Sequence, residues 1–193
     1  MTTSPAHRSP DTRPASLVVL AEAVEAQPGL DGLVEPLRRP ATAIAGGPAR
    51  RRVLLGHWLG HALHPLLTDL PIGLWTSAWV LDVLPVPGAR RASQRLVGLG
   101  VLCAVPTALT GWAEWSQAAE QRDRRVGVVH GLANGVAASL FAGSWLARRR
   151  GRPATGIALG QLAMAATSAG GFLGAHLAIG RKVGTDAADS GSP

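Results

Sequence analysis

Long apolar stretches without charged residues follow one another along the second half of the chain. Residues 96–113, 126–147 and 153–180 contain no Asp, Glu, Lys or Arg, and they are 18, 22 and 28 residues long. Because a helix rises about 1.5 Å per residue, about 20 apolar residues cross a hydrocarbon core of about 30 Å. The pattern therefore predicts three membrane-spanning helices.

A fourth apolar stretch, residues 65–84, carries two charged residues, Asp69 and Asp82. Both carboxylates lie near its ends, where a charge costs less than the roughly 2.5–3.5 kcal/mol of a mid-membrane position. Pro65 is suited to begin a helix, since its missing N–H needs no partner there. We therefore predict an all-α integral membrane protein, an antiparallel four-helix bundle with spans at about 65–84, 95–115, 126–147 and 154–180.

The sequence before the spans is polar. Two short amphipathic helices are predicted at 17–26 and 30–37, separated by Pro28 and Gly29. The segment 50–63 begins with three arginines and continues with several large apolar residues, which is typical of an N-terminal amphipathic helix lying in the membrane interface. The predicted organisation is a polar extension at 1–49, a membrane domain at 50–183 and a disordered tail at 184–193.

Charge and cysteine content narrow the class of partner. The net charge is +7, from 19 Lys and Arg against 12 Asp and Glu. Most arginines flank the apolar stretches, where they suit anionic lipid headgroups, so a lipid bilayer and not a nucleic acid is the predicted partner. The single cysteine, Cys103, excludes an intramolecular disulfide and a cysteine-based metal site.

Glycines recur at four-residue spacing in two of the predicted spans, at positions 127, 131 and 135 and at positions 156, 160, 170 and 174. Small residues at this spacing let membrane helices approach closely. His130 and Asn134 fall on the same helical stripe as the first group of glycines. We therefore predict that both glycine groups are contact faces and that His130 faces the bundle.

The histidines follow a pattern of their own. His57, His61 and His64 precede the first predicted span, His130 opens the third, and His176 lies near the end of the last. If the spans alternate in direction, all five lie at one membrane face. The first three would share a helix face if one helix runs through them, since their spacing is i, i+4 and i+7. His130 and His176 each lie five residues inside a flanking arginine, so their depths match.

Such a layer of imidazoles suggests three interpretations. Two imidazoles from different helices could ligate a b-type haem, with His130 and His176 as the preferred pair and His64 and His61 as further candidates. A transition metal could be held by several of the same histidines together with Glu114. Alternatively, the histidines form interhelical hydrogen bonds without any cofactor. Asp69 and Asn134 are expected as supporting polar groups in this layer.

Motifs of soluble enzymes are missing. The sequence contains no phosphate-binding loop, no GxSxG, no HExxH and no CxxC. Whether the protein is an enzyme therefore stays open. At the face opposite to the histidines, Asp82 is expected to pair with Arg90 or Arg91.

Five motifs together resemble the bacterial membrane domain called domain of unknown function 2231. They are GHALHPLLTDLPIGLW from Gly60, VLD from Val80, GWAEW from Gly111, RRVGVVHGLAN from Arg124 and GAHLAIG from Gly174. The resemblance covers about residues 50–183 and implies a four-helical membrane protein. The family pattern carries over onto His61, His64, Pro65, Asp69, Trp112, Glu114, His130, Asn134 and His176.

Some members of that family are fused to a Rieske iron–sulfur domain, which suggests redox work. A Rieske cluster needs two Cys and two His, so this chain, with one cysteine, would need a separate iron–sulfur or other redox protein as partner. We expect a multi-pass protein of the bacterial cytoplasmic membrane that acts as an electron-transfer component. The contrasting hypothesis is a non-catalytic membrane scaffold or partner subunit with structural histidines, and either could form a homo-oligomer.

The orientation in the membrane rests on a small difference. Arginines are about equally frequent on the two sides of the predicted bundle, so the positive-inside rule separates them weakly. The histidine side is diluted by acidic residues. The interpretation that we adopt places the histidine layer on the outer side.

Overall fold

A computed structural model describes residues 16–84 and 86–183 of the chain. Within these ranges the structure is all-helical, without strands. Three helices are long and apolar enough to cross a membrane, Ala89–Trp115, Gln121–Arg149 and Pro153–Gly180. They contain the three charge-free stretches and confirm three predicted spans. The predicted tail at 184–193 lies outside the described residues.

Seven α-helices are present in the described part of the chain. They are α1 (Ser16–Glu25), α2 (Asp31–Ala45), α3 (Pro48–Leu54), α4 (Leu63–Val83), α5 (Ala89–Trp115), α6 (Gln121–Arg149) and α7 (Pro153–Ala175). The last turn after α7, His176–Gly180, is a wider π-helical turn. Helices α4 and α5 form one tightly packed hairpin, α6 and α7 form another, and α5–α6 and α4–α7 contacts join the two hairpins.

The two short N-terminal helices are present as α1 and α2, with a 3₁₀ turn at Pro28–Leu30 between them. Helix α2 continues well beyond its predicted end, through Pro36 and Pro40. Val34, Ala41 and Ala45 of this helix are fully buried, and α2 packs against α5 and α6. Burial of this apolar side therefore outweighs the backbone hydrogen bonds that the two prolines cannot make.

The predicted continuous helix over 50–63 is wrong. Helix α3 ends at Leu54, and a turn follows in which Gly56 and Gly60 have φ of 76° and 73°. A Cβ atom at Gly56 would lie 2.2 Å from the carbonyl oxygen of His61, so this turn requires glycine. Because the helix is broken here, His57, His61 and His64 do not share one helix face.

The apolar centre of the structure joins the two hairpins. The ring of Trp75 on α4 stacks on Phe141 of α6, with ring centroids 4.1 Å apart. Ala78, Val97 and Ala163 complete this buried cluster. The four longest helices therefore share one core.

A buried ion pair lies at the end of the bundle away from the histidines. Arg148 Nη1 is 2.8 Å from Asp82 Oδ1, and Arg148 Nη2 is 2.5 Å from Asp82 Oδ2. The two side chains are only 4% and 5% exposed. Asp82 thus pairs with an arginine of α6, not with Arg90 or Arg91 as predicted. The latter two are exposed in the first turn of α5, whereas Arg148 points into the bundle.

Serine hydroxyls and a glycine complete the surroundings of this pair. Ser93 Oγ donates to Asp82 Oδ1 at 2.7 Å, and Arg148 Nε donates to Ser144 Oγ at 3.1 Å. Ser144 Oγ in turn donates to the carbonyl of Gly156 at 2.6 Å. A Cβ atom at Gly156 would lie 2.5 Å from Arg148 Cγ, so the glycine provides room for the arginine. The network reaches α4, α5, α6 and α7.

The predicted glycine faces differ in outcome. On α6, a Cβ atom at Gly127 would lie 2.2 Å from Trp115 Cδ1, whereas Gly131 and Gly135 have nothing within 4 Å of such an atom. The contact-face prediction is therefore wrong for Gly131 and Gly135. On α7, close approach is found at Gly156 and again at both glycines near the histidine end.

Helices α1 and α2 dock on the histidine end of the bundle through charged groups. Arg125 of α6 holds the Asp31 carboxylate with two bonds, Nε to Oδ1 at 2.7 Å and Nη2 to Oδ2 at 2.8 Å. Its third donor, Nη1, reaches the carbonyl of Glu25 at 2.8 Å. Arg181 Nε lies 3.8 Å from Glu25 Oε1 of α1. Residues 16–45 therefore belong to the packed structure.

Replacing Arg148 by Met should lower the free energy of unfolding by about 3–5 kcal/mol, because it leaves the Asp82 carboxylate buried without its partner. Unfolding of the purified protein in mixed detergent micelles measures this. The matched control, Arg150→Met on the exposed end of α6, should change it by less than about 0.5 kcal/mol. The double variant Asp82→Leu/Arg148→Met should regain most of the loss, and a double variant as unstable as Arg148→Met would contradict this account.

The Asp31–Arg125 contact should make stability depend on pH in the acid range. Hydrogen bonds from Arg125, and then from Gln121, lower the pKa of Asp31 from 3.8 to about 2. A lowered carboxyl pKa contributes stability that is present above the ordinary pKa and is lost as the pH falls through the folded value. The difference in thermal midpoint between wild type and Asp31→Asn should therefore be constant from about pH 7 to 5 and disappear towards pH 2. Glu35→Gln, an exposed carboxyl on the same helix, should show no such difference.

Candidate functional site

Two of the five histidines among the described residues meet at one end of the bundle. The ring centroids of His64 and His130 are 6.3 Å apart, and the rings are perpendicular. His64 lies in the first turn of α4, and His130 lies on α6. These helices are diagonal in the arrangement of the four, so the ring pair crosses the seam between the two hairpins. His130 faces the bundle as predicted.

Both imidazoles are held by backbone carbonyls. His64 Nδ1 is 2.9 Å from the carbonyl oxygen of Thr107, and His130 Nδ1 is 2.8 Å from that of Gly170. Because a carbonyl oxygen only accepts hydrogen bonds, we assign the ring proton of each neutral histidine to Nδ1. The lone pair then lies on Nε2, the arrangement in which a histidine can ligate a metal.

Glycines on neighbouring helices make room for these rings. A Cβ atom at Gly111 would lie 2.7 Å from His64 Cε1, and one at Gly174 would lie 2.8 Å from His130 Cε1. A Cβ atom at Gly170 would lie 2.6 Å from Asn134 Oδ1. The predicted close approach at Gly170 and Gly174 is confirmed, and the groups that approach are polar side chains.

Asn134 and Glu114 add polar groups to the pair. Asn134 Nδ2 donates a hydrogen bond to His130 Nε2 at 3.1 Å. Glu114, in the last turn of α5, lies with its carboxylate beside the backbone N–H of His64. Its Oε1 atom is buried without a hydrogen-bond partner. The site therefore contains two imidazoles, an amide and an unsatisfied carboxylate oxygen.

His176 does not join His130. Its Nε2 atom lies 2.7 Å from Glu25 Oε1 on α1, and both side chains are nearly buried. The predicted axial pair of His130 and His176 is therefore not assembled. The His176 ring instead contacts the Glu25 carboxylate of the docked helix α1.

The other predicted site residues lie apart from the pair. His61 is exposed in the turn before α4, and Asp69 is exposed on α4. Within residues 16–84 and 86–183, no group of three or more His, Cys, Asp or Glu side chains is arranged to hold a metal ion. The predicted metal site built from His61, His64, His130, His176 and Glu114 is therefore not preformed among the described residues.

Comparison with known proteins identifies the family of this chain. The model of one protein family, described as "Predicted membrane protein (DUF2231)", matches residues 60–187. The chain belongs to this family. Neither curated proteins nor solved structures give a match. The matched range contains α4 to α7 of this DUF2231 protein and every residue of the histidine site, so the site lies within the family domain.

Sequence reasoning missed several contributors to the site of this DUF2231 protein. Thr107 and Gly170 contribute their backbone carbonyls, and because every residue has a carbonyl, the residue type does not predict this role. Gly111 has no other glycine four residues away, so four-residue spacing does not indicate it. Outside this site, Glu25 as the partner of His176 was also missed, because it lies in a segment expected to be a separate extension. Thr107 and Thr110 are both buried and lie three residues apart, so they share the face of α5 that points into the bundle. This pair of polar residues in an apolar span was the signal that could have identified that face.

Substituting Gly174 by Ala should destabilise the DUF2231 protein by about 1–3 kcal/mol, because the new methyl group must displace the His130 ring. Gly131→Ala on α6 is the matched control. It has open space and should be neutral or stabilising by up to about 1 kcal/mol through helix propensity. Thermal unfolding in detergent compares the two variants. Equal midpoints for both would show that Gly174 does not support the ring.

Proposed function

We propose that the chain is an electron-transfer component of the bacterial cytoplasmic membrane, with four spans and a b-type haem ligated by His64 and His130. The proposal has two parts. The first is the number of spans, and the second is the cofactor. Each rests on a different contact.

The contact between Glu25 and His176 supports four spans. Glu25 precedes the long helices and His176 follows them, yet their side chains touch at one end of the bundle. Residues that touch at one end of the bundle lie on one side of the membrane, which supports an even number of crossings between them. Three helices meet the criteria of length and apolarity, and α4 is the helix that would make the number even.

Helix α4 is suited to this role despite its two carboxylates. Its 21 residues reach about 30 Å. It packs along α5, and Asp82 is neutralised by Arg148. Asp69 is exposed, in the second turn of the helix, where an acid costs less than at mid-membrane.

The spacing of the two imidazoles is the observation that carries the haem proposal. Two axial nitrogens on one iron lie about 4 Å apart, given metal–nitrogen bonds near 2 Å. Adding the distance from each nitrogen to its ring centre gives an expected centroid separation of about 6 Å. The observed separation is 6.3 Å. Each Nδ1 already bonds to a carbonyl, which is a usual partner for the second nitrogen of a histidine that ligates a metal.

A haem fits this site better than a bare metal ion does. Axial ligation needs only two imidazoles from the protein, whereas a bare transition-metal site usually takes three or four ligands. Among the described residues, two imidazoles meet at His64 and His130, whereas no group of three or more His, Cys, Asp or Glu is arranged to hold a metal ion. His64 and His130, one from each hairpin, would hold the haem, which would supply a one-electron redox centre. Asn134 would have to release His130 Nε2.

A second function, a non-catalytic scaffold or partner subunit, is favoured by one hydrogen bond. Asn134 Nδ2 lies 3.1 Å from His130 Nε2, the nitrogen that iron would need. With Nδ1 bonded to Gly170, both ring nitrogens of His130 already have partners. In this case the histidines hold the helices together.

An absorbance spectrum of the detergent-purified protein, expressed with haem supplied, separates the two functions. We expect a Soret band and sharp α and β bands after dithionite reduction, which are lost in His64→Ala and in His130→Ala. His176→Ala, which removes an imidazole bonded to Glu25, is the matched control and should retain the bands. A featureless spectrum from folded wild-type protein would reject the haem and favour the scaffold.

A further inference from the structure

A cavity lies beside α3, at the point where the chain approaches the first long helix. It has a volume of about 370 Å³ and is lined by Gly46, Pro48, Arg51, Arg52 and His57. None of these residues belongs to the His64–His130 pair. A volume in this range accommodates a small ligand or the headgroup of a larger one.

The lining of the cavity is cationic. Arg51, Arg52 and His57 line it, and no Asp or Glu is among the lining residues. The Nε atom of Arg51 is buried and has no hydrogen-bond partner. A buried guanidinium donor without an acceptor is costly, so Arg51 would gain from an acceptor bound beside its side chain.

Arg50 has a different role from its two neighbours. Its Nη1 atom donates to the carbonyl of Ala43 at 3.5 Å, and its side chain lies over Gly46. The first of the three consecutive arginines therefore braces the connection between α2 and α3. Arg51 and Arg52 are left to face the cavity.

Large apolar side chains flank the cationic cavity. Val53 and Trp58, the sequence neighbours of Arg52 and His57, are 57% and 62% exposed, and Leu59 is also exposed. The indole Nε1 of Trp58 donates to the carbonyl of Val53 at 3.3 Å, which ties the two together. Trp beside Arg is the composition found at the headgroup level of membranes.

We propose that this cavity binds a phosphate group through Arg51 and Arg52, either the phosphate of an anionic phospholipid headgroup or free phosphate. The guanidinium group of an arginine can donate two parallel hydrogen bonds to the oxygens of one phosphate. The rigid turn at Gly56 holds His57 and Trp58 on the same segment, so the cationic lining and the apolar rim are presented together. The proposal is independent of any haem, because it uses other residues.

Native mass spectrometry of the full chain from nanodiscs tests the lipid source. The nanodiscs contain phosphatidylcholine alone or with an equal amount of phosphatidylglycerol. We expect wild type to retain phosphatidylglycerol. The double variant Arg51→Gln/Arg52→Gln should bind it at least about tenfold more weakly. The matched control is Arg90→Gln/Arg91→Gln, which removes two exposed arginines at the other end of the bundle and should bind as wild type does.

Calorimetric titration of the detergent-purified protein with inorganic phosphate tests the other source. Binding of phosphate that disappears in Arg51→Gln/Arg52→Gln, without retention of phosphatidylglycerol, would support the site with free phosphate as its ligand. The proposal is overturned if neither probe binds, if the double variant binds like wild type, or if the control pair weakens binding equally. The thermal midpoint of each variant confirms that it is folded.

Discussion

The ion pair between Arg148 and Asp82 is the interaction on which the arrangement of the long helices depends. Both charges lie inside the bundle, where neither water nor lipid headgroups solvate them, so each requires the other. The serines on α5 and α6 and the carbonyl of Gly156 on α7 extend the contact to all four helices. Shifting one helix along its axis would separate a charge from its partner, so the network fixes their relative heights.

The histidine pair fixes the other end of the same bundle. One ring comes from each hairpin, and each is bonded to a carbonyl of the neighbouring helix in its own hairpin. Between the two polar ends lies the apolar layer of Trp75 and Phe141. The seam between the hairpins is thus specified by polar contacts at both ends and by aromatic packing in the middle, which is how lipid-embedded helices acquire a unique arrangement without a hydrophobic driving force.

The sequence predicts three candidate spans correctly because the capacity to cross a membrane depends on the length and apolarity of a segment, which are local properties. Partners are not local: Asp82 and Arg148 are 66 positions apart, and the nearer arginines were the natural expectation. Matched depth suggested His130 with His176, but depth does not specify the direction in which a ring points around its helix. Four-residue glycine spacing has the same weakness as a predictor of helix contacts. Gly127 and Gly131 both belong to the spaced group, but only Gly127 has another side chain close to it.

The contact between Glu25 and His176 joins residues 151 positions apart, at almost the two ends of the described chain. During synthesis α1 emerges first, but its partner on the last turn after α7 emerges only when the long helices have been made. The Glu25–His176 contact therefore forms only after the last long helix has been made, and closing so large a loop is slow compared with forming each hairpin. Arg125 can hold Asp31 as soon as α6 has been made, so the contact with His176 is the one that completes the docking of the N-terminal helices, and a chain truncated before His176 could not make it.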